Sequence, residues 1–167
     1  MSSNRFLSVV SGVKTLLTAI ATSAGAGDAN KIIATDGSGK IDITFMPSGV
    51  GADTLSIEAS ENLSAGDFIN IHDVSGARVR KADNSNTRPA HGFVLSSVTS
   101  GANATVYLSG ANTGLTSLTP GTRYYLGTAG AATATAPSAS GEIVQYLGAA
   151  NSTTSLVFED NEYTAIS

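Results

Sequence analysis

The chain has 167 residues, 41% of them hydrophobic and only 13% charged, with a net charge of −4 and no cysteine. It is apolar enough to build a core and too apolar to stay disordered, while charge well below the roughly 25% of ordinary soluble domains leaves Ser, Thr, Asn and Gly to carry the polar surface. The acidic balance argues against a nucleic-acid partner, because phosphate binding needs clustered Lys and Arg; the lack of Cys excludes disulfides, thiolate catalysis and Cys-type zinc sites.

The first element runs from about Asn4 to Ile20. Phe6, Val9, Val10, Val13, Leu16, Leu17 and Ile20 recur at three- and four-residue spacings, and Ser8, Ser11, Lys14, Thr15 and Thr18 fill the gaps. That period predicts an amphipathic α-helix over 4–20, ~26 Å long, capped by Ser2 or Ser3 and stopped by Gly25 to Gly27. Few charges line its polar face, so its apolar stripe needs a partner. Arg5 followed by an amphipathic stretch makes a poor secretory leader. No run approaches the ~20 apolar residues of a membrane span. The expectation is a chain with no membrane partner, kept in the cytoplasm until it assembles.

Lys31–Thr35 and Lys40–Phe45 flank the turn sequence Asp36-Gly37-Ser38-Gly39, which predicts a short β-hairpin over 31–45. Met46-Pro47-Ser48-Gly49-Val50-Gly51 then reads as a linker. Residues 1–51 thus form an N-terminal arm and 52–167 a body. In the body, short apolar runs alternate with Gly-rich turns. Strands are predicted over Thr54–Ala59, Phe68–His72, Ala77–Lys81, Gly92–Leu95, Ala104–Leu108, Thr122–Leu126, Ala131–Thr135, Ile143–Ala149 and Ser155–Glu159. The fold class expected is mainly β, an antiparallel β-sandwich or barrel with an α-helical arm and a short hairpin. Arg78-Val79-Arg80-Lys81 reads as a solvated strand with its charges outward, at an edge or on an exposed face.

Candidate chemistry is sparse. His72 stands beside Asp73, and a Ser-His-Asp triad is conceivable, but no Gly-x-Ser-x-Gly elbow is present. His91 reads as a strand-start residue bonding a loop carbonyl. Asp36, Ser38 and Asp42 lack the spacing and closing Glu of a calcium loop, so Asp36 reads as the first residue of a turn. Gly25-Ala26-Gly27-Asp28 comes after a helix and before a strand, the wrong order for a dinucleotide site. Of Tyr124 and Tyr125, one ring belongs in the core and the other at an interface. Catalytic, metal-binding and cofactor-binding residues are therefore all assigned as none, and a non-enzymatic chain is expected.

Several segments resemble proteins of tailed bacteriophages. Ala29–Asp36, Gly39–Asp42 and Phe45-Met46-Pro47 are similar to a linker-hairpin motif of their structural proteins. Leu63–Phe68, Val79–Asp83, Pro89–Val94 and Leu118–Leu126 resemble the small β-domain of phage head decoration, or cement, proteins and of some fibre proteins. The resemblance implies a non-catalytic dimer or trimer on the outer capsid surface of the virion, made in the host cytoplasm, that bridges major capsid protein subunits. On this reading Phe6, Val9, Val13, Leu16 and Ile20 of the helix, with Ile32, Ile41, Ile43 and Phe45 of the hairpin, bind the partner. Two further readings stand beside it: a tail-fibre or baseplate component attached through the helix as a trimeric coiled coil, and a glycan-binding module.

Overall fold

The computed structural model describes residues 5–10, 12–46 and 52–167, without the side chains of Val10 and Ile43. The expected helix caps Ser2 and Ser3, and the linker residues after Met46, lie outside the described residues. The chain divides into two compact units, Met1–Gly51 and Ala52–Ser167.

The first unit begins with a β-ribbon where the sequence predicts a helix. Strand β1 (Arg5–Val10) pairs antiparallel with β2 (Val13–Thr18). The helical spacing of the apolar residues fits a stripe but leaves Leu7 out of it; in the ribbon Leu7 lies opposite Leu16, and Phe6 opposite Leu17. Gly12, at φ +81°, stands in the two-residue link between Val10 and Val13. That left-handed backbone is what a tight hairpin link requires and what glycine adopts without strain. Val9, Val10, Val13, Thr15 and Thr18 are β-branched and favour the pleat over the helix.

The hairpin expected over 31–45 is also replaced. Ile33 instead bridges in parallel to Ile20, with Ile20 N–H donating to Ile32 O at 2.9 Å and Ala34 N–H donating to Ile20 O at 2.8 Å. The central turn does form: the Asp36 carboxylate accepts the N–H groups of Ser38 at 2.8 Å and Lys40 at 2.9 Å. Just beyond it the Asp42 carboxylate takes the N–H and hydroxyl of Thr44, and Ile43–Phe45 curls into a 3-10 turn. Carboxylates bonding their own following backbone offer it an alternative to a ladder, which is why the second strand is missing.

The second unit is all β. Strands β3 (Thr54–Ala59), β4 (Phe68–Asp73), β5 (Ala77–Lys81), β6 (Gly92–Val94) and β7 (Asn103–Tyr107) form a closed barrel in the order β3-β5-β4-β6-β7. Its neighbours run antiparallel except β3 and β5, whose short parallel contact pairs Glu58 with Arg78 and Ala59 with Val79. Closure leaves the barrel no open edge. The charged stretch on β5 is therefore not an edge. Val79 is buried, Arg78 pairs with Glu58, Arg80 Nε donates to Asn70 Oδ1 at 3.0 Å, and Lys81 pairs with Asp67 at 3.1 Å. A second sheet is built from β8 (Gly110–Asn112), β9 (Arg123–Leu126), β10 (Ala132–Thr133), β11 (Ile143–Ala150) and β12 (Leu156–Phe158), in the order β10-β9-β11-β12-β8. Strand β13 (Tyr163–Ala165) pairs with the start of β11.

Strand alternation feeds two cores. Ile69, Val79, Val94 and Val106 fill one with Ala59, Leu63 and Ala104. Their sequence neighbours Phe68 and Phe93 point the other way, into a second core with Leu126, Ile143, Leu147, Leu156 and Phe158 of the other sheet. Adjacent residues of one barrel strand thus serve opposite faces.

A buried carboxylate joins barrel to sheet. Asp83 Oδ1 accepts the Ser85 N–H at 2.9 Å and its hydroxyl at 2.7 Å, while Oδ2 accepts the Ala129 N–H at 3.1 Å. Burial alone would push this carboxyl up, but the bonds from Ser85 and Ala129 outweigh it and hold it below the ordinary aspartate value. A folded value below the unfolded one adds stability above about pH 4, and that stability is lost as pH falls through the folded value. We expect wild-type unfolding free energy, read from urea melts, to fall below about pH 4, and Asp83→Asn to flatten that part of the profile while weakening the protein at pH 7. Parallel profiles for the two proteins would refute the assignment.

Candidate functional site

Among the described residues of the Met1–Gly51 unit, no side chain is buried. The ribbon is nevertheless apolar on both faces. Residues opposite each other in an antiparallel pair share a face. One face therefore carries Phe6, Val13 and Leu17, the other Leu7, Val9 and Leu16. Phe6 is 47% exposed and Leu7, Val9, Val13 and Leu16 are 62–64% exposed. A two-stranded ribbon is at best marginal in water without a packed face.

The residues expected to bind a partner are distributed as follows. Phe6, Val9, Val13 and Leu16 lie on the ribbon, divided between its two faces rather than gathered on one stripe. Ile20 and Ile32 are half-buried around the parallel bridge. Ile41 is exposed, Phe45 is half-buried at the end of the 3-10 turn, and Ile43 opens that turn. Leu7 and Leu17 complete the two faces and were not among the expected residues. The Ser11-Gly12 dipeptide, a turn signal between two runs of six, is the clue that identifies them.

The second unit holds the groups that could do chemistry. His72 Nε2 lies 2.9 Å from Ser60 Oγ, a Ser-His contact that joins β4 to the end of β3. Ser60 Oγ also donates to Val79 O at 3.1 Å. The hydroxyl has one proton for two acceptors, so the Val79 carbonyl competes with the imidazole for it. Burial, then repulsion by Arg80 and Arg88, lowers the His72 value, with Glu61 and Asp73 opposing. Among the described residues no carboxylate bonds the other ring nitrogen, so the orienting group of a triad is missing there. His91 does bond backbone, but as an acceptor: Nδ1 takes the Ile71 N–H at 3.0 Å, next to the bond from His91 N–H to Ile69 O. The ring extends the β4–β6 ladder past the short β6.

Gln145 is the other fixed polar group. It is 1% exposed on β11, its Oε1 accepts the Ala90 N–H at 2.7 Å, and its Nε2 donates to Ala90 O and Asn161 O, both at 2.9 Å. Asn161 Nδ2 in turn donates to Tyr146 O at 3.3 Å and Glu159 O at 3.1 Å. Pro89, His91 and Gln145 line a cavity of about 390 Å³ with Asp160, Asn161, Glu162 and Tyr163. Of the tyrosine pair, Tyr124 is buried and accepts the Thr119 N–H at 3.0 Å. Tyr125 lies on the outer face, edge-on to Tyr146, whose ring also faces the Arg123 guanidinium at 5.9 Å. Among the described residues no group of three or more His, Asp and Glu is arranged to hold a metal ion, and no helix is long and apolar enough to cross a membrane.

No protein-family model matches the chain, and no curated protein matches it. Among solved structures it is similar to the head fiber gp8.5 N base of bacteriophage phi29. The identity is 14% and the TM-score 0.45, over 67% of this chain and 98% of that one.

Proposed function

We propose that this chain is a structural subunit of a phage virion, without catalytic activity, that binds the outer capsid lattice and bridges major capsid protein subunits. The observation that carries the reading is the β1–β2 ribbon, apolar on both faces and exposed on both. Such an element gains its stability by insertion between surfaces of other chains, where each face meets its own apolar partner. The near-neutral surface fits the same role, since hydroxyl and amide groups cost less to desolvate against a protein than charges do. The motifs at Leu63–Phe68 and Leu118–Leu126 resemble those of head decoration proteins, which agrees with this assignment. Each copy would contribute modestly, because ordering a free ribbon offsets much of its burial, and many copies on a symmetric lattice would hold by avidity. Self-association into a dimer or trimer belongs to the proposal. The coiled-coil route to a tail fibre needed a helix over 4–20 and falls with it.

The test is occupancy. Removal of residues 1–24 is expected to lower the amount of protein retained on purified phage heads about tenfold or more, a loss of roughly 1.4 kcal/mol or greater per binding event, while circular dichroism of the β-body stays unchanged. Undiminished occupancy would refute the ribbon's role. Density at the tail and not the head, in images of whole particles, would overturn the capsid assignment.

A further inference from the structure

We propose that the cavity between Pro89, His91 and Tyr163 is a binding site for a neutral sugar ring. It stands on residues remote in sequence from the ribbon, so this proposal and the assembly proposal can each fail without the other.

Three observations define the ligand. The first is the tautomer of His91. Its Nδ1 accepts the Ile71 N–H at 3.0 Å, so the neutral ring must carry its proton at Nε2. Among the described residues nothing accepts from that Nε2, and the ring lines the cavity. The site thus offers one fixed donor. The second is the pair Asp160 and Glu162, both exposed at this cavity. They flank Asn161, which is held through its carbonyl by Gln145 and through its side chain by Tyr146 O and Glu159 O. A segment anchored at its middle residue presents two acceptors at a set position rather than on a free tail. The third is Tyr163, 45% exposed on β13, whose backbone pairs with Gln145. It supplies an aromatic surface beside the polar groups.

The combination discriminates among ligands. An anion would meet two carboxylates. A bare cation would meet the imidazole N–H, and among the described residues no group of three or more His, Asp and Glu is arranged to hold a metal ion. A pyranose satisfies all three features: a ring or hydroxyl oxygen accepts from His91 Nε2–H, hydroxyls donate to Asp160 and Glu162, and an apolar ring face lies on Tyr163. The 390 Å³ volume lies within the range of small-ligand pockets and suits one or two sugar rings.

The experiment is a titration of the full-length, isotope-labelled chain with a panel of neutral pyranosides of gluco, galacto, manno and N-acetylhexosamine configuration, followed by amide and imidazole resonances. We expect saturable shifts at His91, Asn161 and Tyr163 for at least one configuration, with Kd about 1 mM. Tyr163→Ala and, separately, Asp160→Asn should weaken binding about tenfold or more. Both sites are exposed, so an unchanged amide spectrum outside the cavity will verify the fold. Silence across the whole panel, or shifts that survive Tyr163→Ala, would overturn the proposal. So would sodium sulfate or calcium chloride alone producing the same saturable shifts, since either would identify an ion site.

Discussion

Gly148→Ala should cost the β-body at least about 4 kcal/mol, a large share of the roughly 5–15 kcal/mol that holds an ordinary domain folded. Gly148 lies at a register shift on β11, between its pairs with Tyr124 on β9 and Phe158 on β12. Two penalties meet there. Its φ of +143° is a conformation that side chains rarely adopt, and a Cβ at this position would come within 1.9 Å of Val157 O. That oxygen belongs to the backbone of a paired strand and cannot swing aside as a side-chain end would. Gly141 is the internal control. Its φ is +86° with nothing within 4 Å of a Cβ, so Gly141→Ala carries the backbone term alone, about 1–2 kcal/mol. Chemical denaturation of both variants separates the terms. Equal losses would mean that β11 and β12 part easily and that the overlap is not a constraint.

Phe93→Ala is expected to cost about 3–5 kcal/mol. Phe93 is 1% exposed on the three-residue β6. Its ring stacks on Tyr107 at 5.4 Å and packs edge-on against Phe68 at 6.3 Å and Phe158 at 5.9 Å. Phe158 comes from the second sheet, so these rings connect the two sheets. Truncation leaves a cavity that neither sheet can collapse into without breaking its own ladder. Thermal melts should show one cooperative transition at lower temperature. Two separated transitions would mean that barrel and sheet unfold independently, and that the aromatic cluster does not couple them.

The strands of the body were legible because short apolar runs stand between turn signals rich in glycine; some alternate, as in Asn103–Tyr107, while Phe68-Ile69 and Phe93-Val94 are apolar on both faces because both faces are buried. Thr54–Ala59 and Ala77–Lys81 coincide with β3 and β5, and the remaining predicted runs overlap observed strands within a few residues. Two strands were not legible. Gly110-Ala111-Asn112 has no apolar alternation, and its inward residue is the buried amide of Asn112, which donates to Gly66 O at 2.8 Å. Tyr163–Ala165 looks like a polar tail, and only its pairing with β11 makes it a strand. Barrel closure was equally hidden, since it rests on a parallel contact of two residue pairs.

The N-terminal error has a specific cause. Spacings of three and four residues fit one helix stripe, and they fit equally well two apolar faces of a folded ribbon. Leu7 and Gly12 distinguish the cases, because a helix would leave Leu7 beside its polar face while the ribbon sets it against Leu16 and needs the left-handed backbone of Gly12 between its strands. The proposed need for a partner does not rest on the helix: it rests on the apolar side chains of this segment, which the ribbon leaves exposed. The cavity beside His91 was invisible for a different reason. His91, Gln145 and Tyr163 are remote in sequence, and the tautomer of His91 is set by a backbone N–H on β4.

The claim on which the account depends is that another chain covers the ribbon. Amide hydrogen exchange over Phe6–Thr18 tests it directly, measured on the isolated chain and again on the chain bound to phage heads. Fast exchange in isolation and protection of about a hundredfold or more on the particle, near 2.7 kcal/mol of local stabilisation, is the expected result. Slow exchange already present in the isolated monomer, or exchange equally fast in both states, would contradict it.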